Sequence, residues 1–312
     1  MTGKNIDGDC SARPAGPWAA SLTPIKNREI DAAKLVKHVE WLLDSGCQGV
    51  VLFGSTGEAA SFTVDERMQA LDYVRQNGVP GEHIIVGTGC CATIDSARLS
   101  SHAIEHGCAG IIVIPPYFYR PVEQQGLYNS YSRLIESVAS DRMNLYLYHF
   151  PDLSGVPITN ELVQDLTDNF PKQIAGVKDS SGDLENTLQL VKDFPDLDIF
   201  TGDDDLLWPL VKAGGAGSVT ATANIIPHLL ASIWQAAMDG AENPPAEHQV
   251  ASDVWSLILN HYPIVESLKE CLAQKFNDAD WRVVREPLNE MSEARRADLQ
   301  ERLAITGFSL HR

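Results

Sequence analysis

Short apolar runs rich in β-branched residues recur along the first 220 residues, at 18–23, 49–53, 83–87, 110–114, 144–148, 174–178, 198–201 and 217–221. Gly, Pro or small polar residues bound each run. Between them, apolar positions return with a helical period at 31–45, 64–75, 93–106, 122–137, 159–168, 184–193, 206–213 and 227–238. Thr63-Val64-Asp65-Glu66 reads as a capping box, and Thr159-Asn160-Glu161-Leu162 as an N-cap before an acidic first turn. Gly46, Gly107 and Gly214 stand where helices should stop. Strands that are apolar along their length are buried on both faces, which implies a parallel sheet covered by helices. Eight such units predict an α/β fold of the (β/α)8 TIM-barrel type; an open doubly wound sheet is the alternative. Beyond residue 240 the strands stop, and 246–260, 265–275 and 292–304 read as helices. The expected organisation is a flexible N-terminal segment (1–16), a barrel catalytic domain (17–240) and a C-terminal helical appendage (241–312) packed on the barrel.

Composition narrows the class without choosing the fold. The chain has 312 residues, 44% hydrophobic and 21% charged, enough for a large core. Its 42 acidic and 24 basic residues leave a formal charge of −18, which argues against nucleic acid and anionic membranes as partners. No basic start followed by an apolar core marks a signal peptide, and no run is long enough for a membrane helix, so the expectation is a cytoplasmic protein. The six cysteines show no metal-ligand spacing; Cys90 and Cys91 alone are neighbours. They are expected to be reduced and mostly buried.

The chemistry concentrates at the ends of the apolar runs, where a barrel gathers its catalytic groups. Lys178 closes Ile174-Ala175-Gly176-Val177 and precedes Asp179-Ser180-Ser181-Gly182. An ammonium at the edge of a dry core is disfavoured by desolvation. The neutral amine can attack a ketone to form a Schiff base, whereas a strand-end lysine can also simply snorkel to water. Tyr148 lies one βα unit upstream, hence on the adjacent strand, where its phenol could move protons or merely pack. Gly54-Ser55-Thr56-Gly57-Glu58 can offer backbone N–H groups and two hydroxyls to a carboxylate, or form an ordinary βα turn. It lacks the Gly-Lys-Ser/Thr ending of a nucleotide loop. Asp203, Asp204 and Asp205 could bind substrate hydroxyls, or cap the helix that follows.

Two competing motifs lead elsewhere. Gly87-Thr88-Gly89-Cys90-Cys91-Ala92 matches a dinucleotide fingerprint, but the next strand runs into Pro115-Pro116 instead of an acidic ribose ligand. His149 is the only histidine in the cluster, too few ligands for a metal-dependent aldolase.

Taken together, Gly54–Glu58, Tyr148-x-x-Pro151, Gly176-Val177-Lys178-Asp179-Ser180-Ser181-Gly182-Asp183, Gly202-Asp203-Asp204 and Thr222-Ala223-Asn224 resemble the N-acetylneuraminate lyase / dihydrodipicolinate synthase family of class I aldolases. The resemblance implies a (β/α)8 barrel, usually a homotetramer built of dimers. It implies Lys178 as Schiff-base nucleophile toward pyruvate, Tyr148 as proton-transfer residue, and Ser55 and Thr56 binding the carboxylate and orienting Tyr148. Gly54, Gly202, Asp204, Asp205, Val219 and Leu153 complete the substrate-binding set that it suggests. No metal or organic cofactor is implied beyond the covalent lysine adduct, and the partners expected are a small 2-oxo acid and further copies of the chain.

Three departures shape the expectation. Synthases of the family usually place an arginine shortly after the tyrosine motif for the aspartate-semialdehyde carboxylate; here the position is Leu153, as in the neuraminate lyases, and Leu cannot replace a bidentate guanidinium. Many members present a tyrosine across the dimer interface to complete the proton relay. The corresponding residue is Phe118, between Tyr117 and Tyr119. The first hydroxyl of the glycine turn is Ser55, where synthases usually carry threonine. The expected function is a pyruvate-dependent lyase acting on a sugar acid or hydroxylated ketoacid, with Asp204 and Asp205 facing a polyol tail. Dihydrodipicolinate synthase, with Arg120 as a substitute anchor, a ketoacid hydratase or dehydratase, and a catalytically silent pyruvate-binding regulator are the alternatives.

Overall fold

A computed structural model describes residues 13–310. Eight strands form the barrel: β1 (Gly16–Ala20), β2 (Gly49–Leu52), β3 (Ile84–Gly87), β4 (Gly110–Val113), β5 (Leu145–His149), β6 (Ile174–Asp179), β7 (Asp198–Thr201) and β8 (Gly217–Thr220). Each is hydrogen-bonded in parallel to the next, and β1 pairs with both β2 and β8, so the sheet closes on itself. Closure removes the open doubly wound alternative. The dinucleotide reading of the glycines at the end of β3 also falls: a Cβ at Gly87, the last residue of β3, would meet the Phe53 carbonyl oxygen at 2.2 Å, so close backbone packing beside the end of β2 accounts for that residue.

The helices alternate with the strands as the periodicity predicts: α1 (Ala32–Asp44), α2 (Val64–Gln76), α3 (Thr93–Glu105), α4 (Gln124–Val138), a single turn α5 (Pro151–Ser154), α6 (Asn160–Asn169), α7 (Leu184–Asp193), α8 (Leu207–Lys212) and α9 (Pro227–Met238). The Thr63–Glu66 capping box is fully formed at the start of α2. Two elements escaped the pattern because each is too short to show a period. One is α5. The other is a two-stranded ribbon, Ile25–Lys26 with Glu29–Ile30, turned by Asn27 and Arg28 at positive φ.

Two layers of core follow from strands buried on both faces. Trp18, Val51, Ile85, Ile112, Tyr146, Phe200 and Val219 fill the barrel interior, while a larger shell of Leu, Ile and Val lies between the sheet and the helices. Beyond α9, α10 (Ala246–His261), α11 (Ile264–Lys275) and α12 (Glu293–Ile305) follow. Residues 1–12 of the segment expected to be flexible lie outside the described residues, and Gly16 already belongs to β1. The cysteines depart from expectation: among those described, Cys47 and Cys271 are buried, Cys90 and Cys108 partly so, and Cys91 is exposed. Cys90 and Cys91 follow β3 on the loop leading to α3, and Cys90 Sγ accepts from Arg67 Nη1 of α2 at 3.5 Å.

Candidate active site

Lys178 occupies the penultimate position of β6, directly opposite Tyr148 of β5 in the parallel register. Both side chains are buried. The Lys178 ammonium lies 4.1 Å from the centroid of the Tyr148 ring, on its face, where the ring quadrupole attracts a cation. The Tyr148 hydroxyl in turn lies 3.2 Å from Ser55 Oγ. Three strand ends thus bring an amine, a phenol and a hydroxyl into one chain, and the Ser55 contact fixes where the phenol oxygen points. Thr56, the other hydroxyl of the turn, is buried beside it.

A cavity of about 190 Å³ opens at this end of the barrel. Gly54, Ser55, Tyr117, Tyr148 and Leu153 line it together with Phe53, Ala59, Ala60, Ile112 and Ile114. Its walls are therefore mostly apolar, and the hydroxyl-bearing residues among those that line it are Ser55, Tyr117 and Tyr148. Lys178 is not part of these walls; it sits over the Tyr148 ring. Of the aromatic trio on the loop after β4, Tyr117 faces the cavity, whereas Phe118 and Tyr119 are 72% and 81% exposed and stack edge to face. Burial, hydrogen bonding to Cys91 and the nearby thiols raise the Tyr117 pKa, and the Arg67 guanidinium partly opposes them.

The acidic turn after β7 does not present its carboxylates as the sequence suggests. Asp204 is fully buried, and its carboxylate accepts the Thr222 hydroxyl. Burial pushes its pKa up to about 7. Asp205 is exposed, and its carbonyl oxygen meets His248 Nε2 at 3.2 Å. Asp203 is the carboxylate that feels the Lys178 charge. Its burial raises the pKa to about 6, Asp205 adds to the rise, and the Lys178 ammonium acts against both. Asp203 Oδ2 is buried without a hydrogen-bond partner. Asp203 is the extended N-cap residue of the 3-10 turn Asp204–Leu206, and within that turn the side chains of Asp204 and Asp205 point about a third of a turn apart.

Several motif residues are tied into the scaffold. Asp179, next to the lysine, accepts from the Ser181 amide at 2.9 Å and from Asn186 Nδ2 and Thr187 Oγ1 at 2.8 Å each, so both its oxygens are used in holding the β6–α7 turn. Gly202 is there for space: a Cβ would sit 1.9 Å from Ser180 Oγ. Val219 faces the barrel interior opposite Trp18 rather than the cavity. His149 Nδ1 accepts the Ile158 amide at 3.0 Å, and burial lowers its pKa, so the neutral ring ties down the segment after α5. Arg120 reaches that same turn, with Nη1 3.5 Å from the Ser154 carbonyl, while Leu153 itself is on the cavity wall.

One participant carried no role in the sequence reading. Glu58, in the left-handed region at φ 57°, ends the Gly54–Glu58 turn with a wholly buried carboxylate. It pairs with Lys269 of α11, whose ammonium also donates to the Val283 carbonyl at 2.7 Å, and it accepts the Arg285 amide at 2.8 Å. The sequence hint was a lysine among Leu268, Cys271 and Leu272 on the buried face of a helix. Through this pair the C-terminal helices hold the turn that carries Ser55.

A sequence model of the dihydrodipicolinate synthetase family matches residues 14–306. A DapA-like lyase of Chloroflexus aurantiacus is 34% identical over 244 residues, covering 77% of this chain and 81% of its own length. The 4-hydroxy-tetrahydrodipicolinate synthase of Kosmotoga olearia is 32% identical over 229 residues, 72% of this chain and 76% of that one. Among solved structures, dihydrodipicolinate synthase from Agrobacterium tumefaciens superposes with a TM-score of 0.86 at 28% identity, over 95% of this chain and 99% of the other. YagE of Escherichia coli, a prophage protein of the dihydrodipicolinic acid synthase family solved with pyruvate, gives 0.84 at 25% identity over the same shares.

Proposed function

Because the chain belongs to the dihydrodipicolinate synthetase family, we propose that it is a class I carbon–carbon lyase that binds pyruvate, or the pyruvate half of a larger 2-oxo acid, as a Schiff base on Lys178. The observation that supports this most is the Lys178–Tyr148–Ser55 chain. The neutral amine adds to the C2 ketone, and loss of water leaves an iminium. The iminium is an electron sink: it takes up the electron pair of the breaking C3–C4 bond and yields an enamine and an aldehyde. In the reverse direction the enamine attacks the aldehyde, and hydrolysis returns the amine. Tyr148, held by Ser55 at 3.2 Å, shuttles the proton between the carbinolamine hydroxyl and the aldehyde oxygen. Ser55 and Thr56 hold the ketoacid carboxylate through their hydroxyls and the turn's amides. With Phe118 exposed, Tyr117 on the cavity wall is the phenol that continues the relay.

For the second half of the substrate, the cavity supports an uncharged, hydroxylated aldehyde. Leu153 offers no donor to a second carboxylate, and Asp203 takes the place of Asp204 and Asp205 as acceptor for a hydroxyl. The competing reading, condensation of pyruvate with aspartate semialdehyde, is favoured by relatives that are 4-hydroxy-tetrahydrodipicolinate synthases and by Arg120 beside the Leu153–Gly155 turn. Assaying aldehyde release from a panel of 4-hydroxy-2-oxo acids against pyruvate-dependent consumption of aspartate semialdehyde separates the two. Faster turnover of the semialdehyde overturns the preferred reading. The exposed Phe118–Tyr119 pair is further proposed as part of a contact between copies of the chain, in a cytoplasmic homo-oligomer that needs no metal for catalysis.

A further inference from the structure

We propose that Asp72, His102 and His106 form a binding site for one divalent transition-metal ion of the zinc class, clamping α2 to α3 on the face of the barrel opposite the lysine. His102 lies in the last turn of α3 and His106, four residues on, is its C-cap residue; their ring centroids are 4.5 Å apart. Asp72 comes from the third turn of α2. Both imidazole Nε2 atoms lie 2.7 Å from the same oxygen, Asp72 Oδ1. Among the described residues this is the one set of three His, Cys, Asp or Glu side chains whose ligand atoms all converge within 4.8 Å.

The donor set fits that class of ion. Two imidazole nitrogens and one carboxylate oxygen match a tetrahedral zinc site with water in the fourth position, at bond lengths of about 2.0–2.2 Å. Ligand atoms around such an ion stand about 3.3 Å apart. Each 2.7 Å contact therefore opens by roughly half an ångström, which side chains that are 11%, 27% and 39% exposed can do without moving backbone. The same exposure admits the ion and its water. In the metal-bound form the Nε2 protons are lost or moved to Nδ1, so neutral imidazoles bind with little proton release and charged ones with more. Arg75 directs its guanidinium at the carbonyls of His106 and Val79. The chain's charge of −18 favours approach of a cation.

Position separates this site from the chemistry. α2 and α3 begin at the catalytic end, after the turns that bear Ser55 and Gly89, and run away from it to the three ligands at the far end of the barrel, the face that governs stability in this fold. An ion there stabilises the folded chain by mass action and takes no part in bond making.

Calorimetric titration of chelator-treated, tag-free protein with Zn²⁺ tests the proposal, followed by melting with and without the ion and by the visible spectrum with Co²⁺. The expected result is about one ion per chain and a raised Tm. The Co²⁺ form should show tetrahedral d–d absorption without a thiolate charge-transfer band. His106→Gln should weaken binding roughly tenfold or more, and His102→Gln/His106→Gln should abolish both binding and the Tm shift, because one or two of three protein ligands are gone. Borohydride trapping of pyruvate should be unchanged in both variants. Absence of binding, binding that survives the double substitution, or a thiolate band assigning the ion to the cysteines each overturns the site. Loss of trapping in His106→Gln, with circular dichroism unchanged, overturns its separation from catalysis.

Discussion

Tyr148 and Lys178 are direct cross-strand partners, and the lysine nitrogen rests 4.1 Å from the centre of the phenol ring. On the proposed mechanism the ring has two functions, one at its face and one at its hydroxyl edge. Its face holds the positive nitrogen, whether ammonium or iminium, and its hydroxyl edge meets Ser55 and the cavity. Proton transfer and charge stabilisation are therefore separable by substitution.

Tyr148→Phe keeps the ring and removes the hydroxyl. Schiff-base trapping with pyruvate should persist at reduced rate, while kcat for aldehyde release should fall roughly 10²–10⁴-fold, the usual scale of a positioned acid–base group. Ser55→Ala should give a smaller loss, because the phenol remains but its direction is no longer fixed. Steady-state kinetics on the two variants check the order; equal losses would contradict the separation.

On the proposed reading, Leu153 sets the chemistry of the second half of the substrate. Introducing Leu153→Arg should raise kcat/KM for aspartate semialdehyde by roughly tenfold to hundredfold, the scale of hydrogen bonds to a charged group, and lower it for uncharged hydroxyaldehydes. If Arg120 already supplies the anchor, Leu153→Arg changes little and Arg120→Ala abolishes the semialdehyde reaction.

Asp204 makes stability depend on pH in a stated direction. Burial raises its pKa from 3.8 to about 7 in the folded chain, so the folded state holds the proton more tightly than the unfolded one. The contribution is fully present below about pH 4 and is lost as pH rises through 7. Asp204→Asn retains an acceptor for the Thr222 hydroxyl and has no charge to bury. Its Tm should therefore fall less than that of the wild type between pH 4 and 8, as measured by calorimetry. Parallel melting curves for the two proteins across that range would contradict the assignment.

Glu58 and Lys269 form a pair without solvent contact, and breaking one side leaves the other charge stranded. Glu58→Gln or Lys269→Met should each destabilise by about 3–5 kcal/mol, and the double substitution should recover part of the loss. Chemical denaturation of the three variants measures it. Since the pair anchors the Ser55 turn, the single variants should also show a raised KM for pyruvate.

These residues also mark how far the sequence could be read. The strand-end rule and the one-unit spacing between Tyr148 and Lys178 made the barrel, the amine and the phenol legible, because a closed parallel sheet fixes which end is functional. Ser55 followed from the same rule. The acidic turn did not: Asp203 is the extended N-cap residue of a 3-10 turn that holds Asp204 and Asp205, and only packing decides that Asp203 feels the Lys178 charge while Asp204 meets Thr222. Asp179 and Gly202 are parts of the motif whose roles in the β6–α7 turn appear only when their partners are placed. The Glu58–Lys269 pair was out of reach, since its members are 211 positions apart and nothing local couples them. Tyr117 was one of three aromatic candidates until the loop's path turned it inward.

The central claim is that Lys178 forms a Schiff base with pyruvate. Borohydride reduction in the presence of pyruvate, followed by intact-mass and peptide mass spectrometry, tests it directly. A single reduced pyruvyl adduct on the peptide containing Lys178, absent from Lys178→Ala, is the expected result. No adduct on the folded wild-type protein, or an adduct that persists on another lysine in Lys178→Ala, would contradict it.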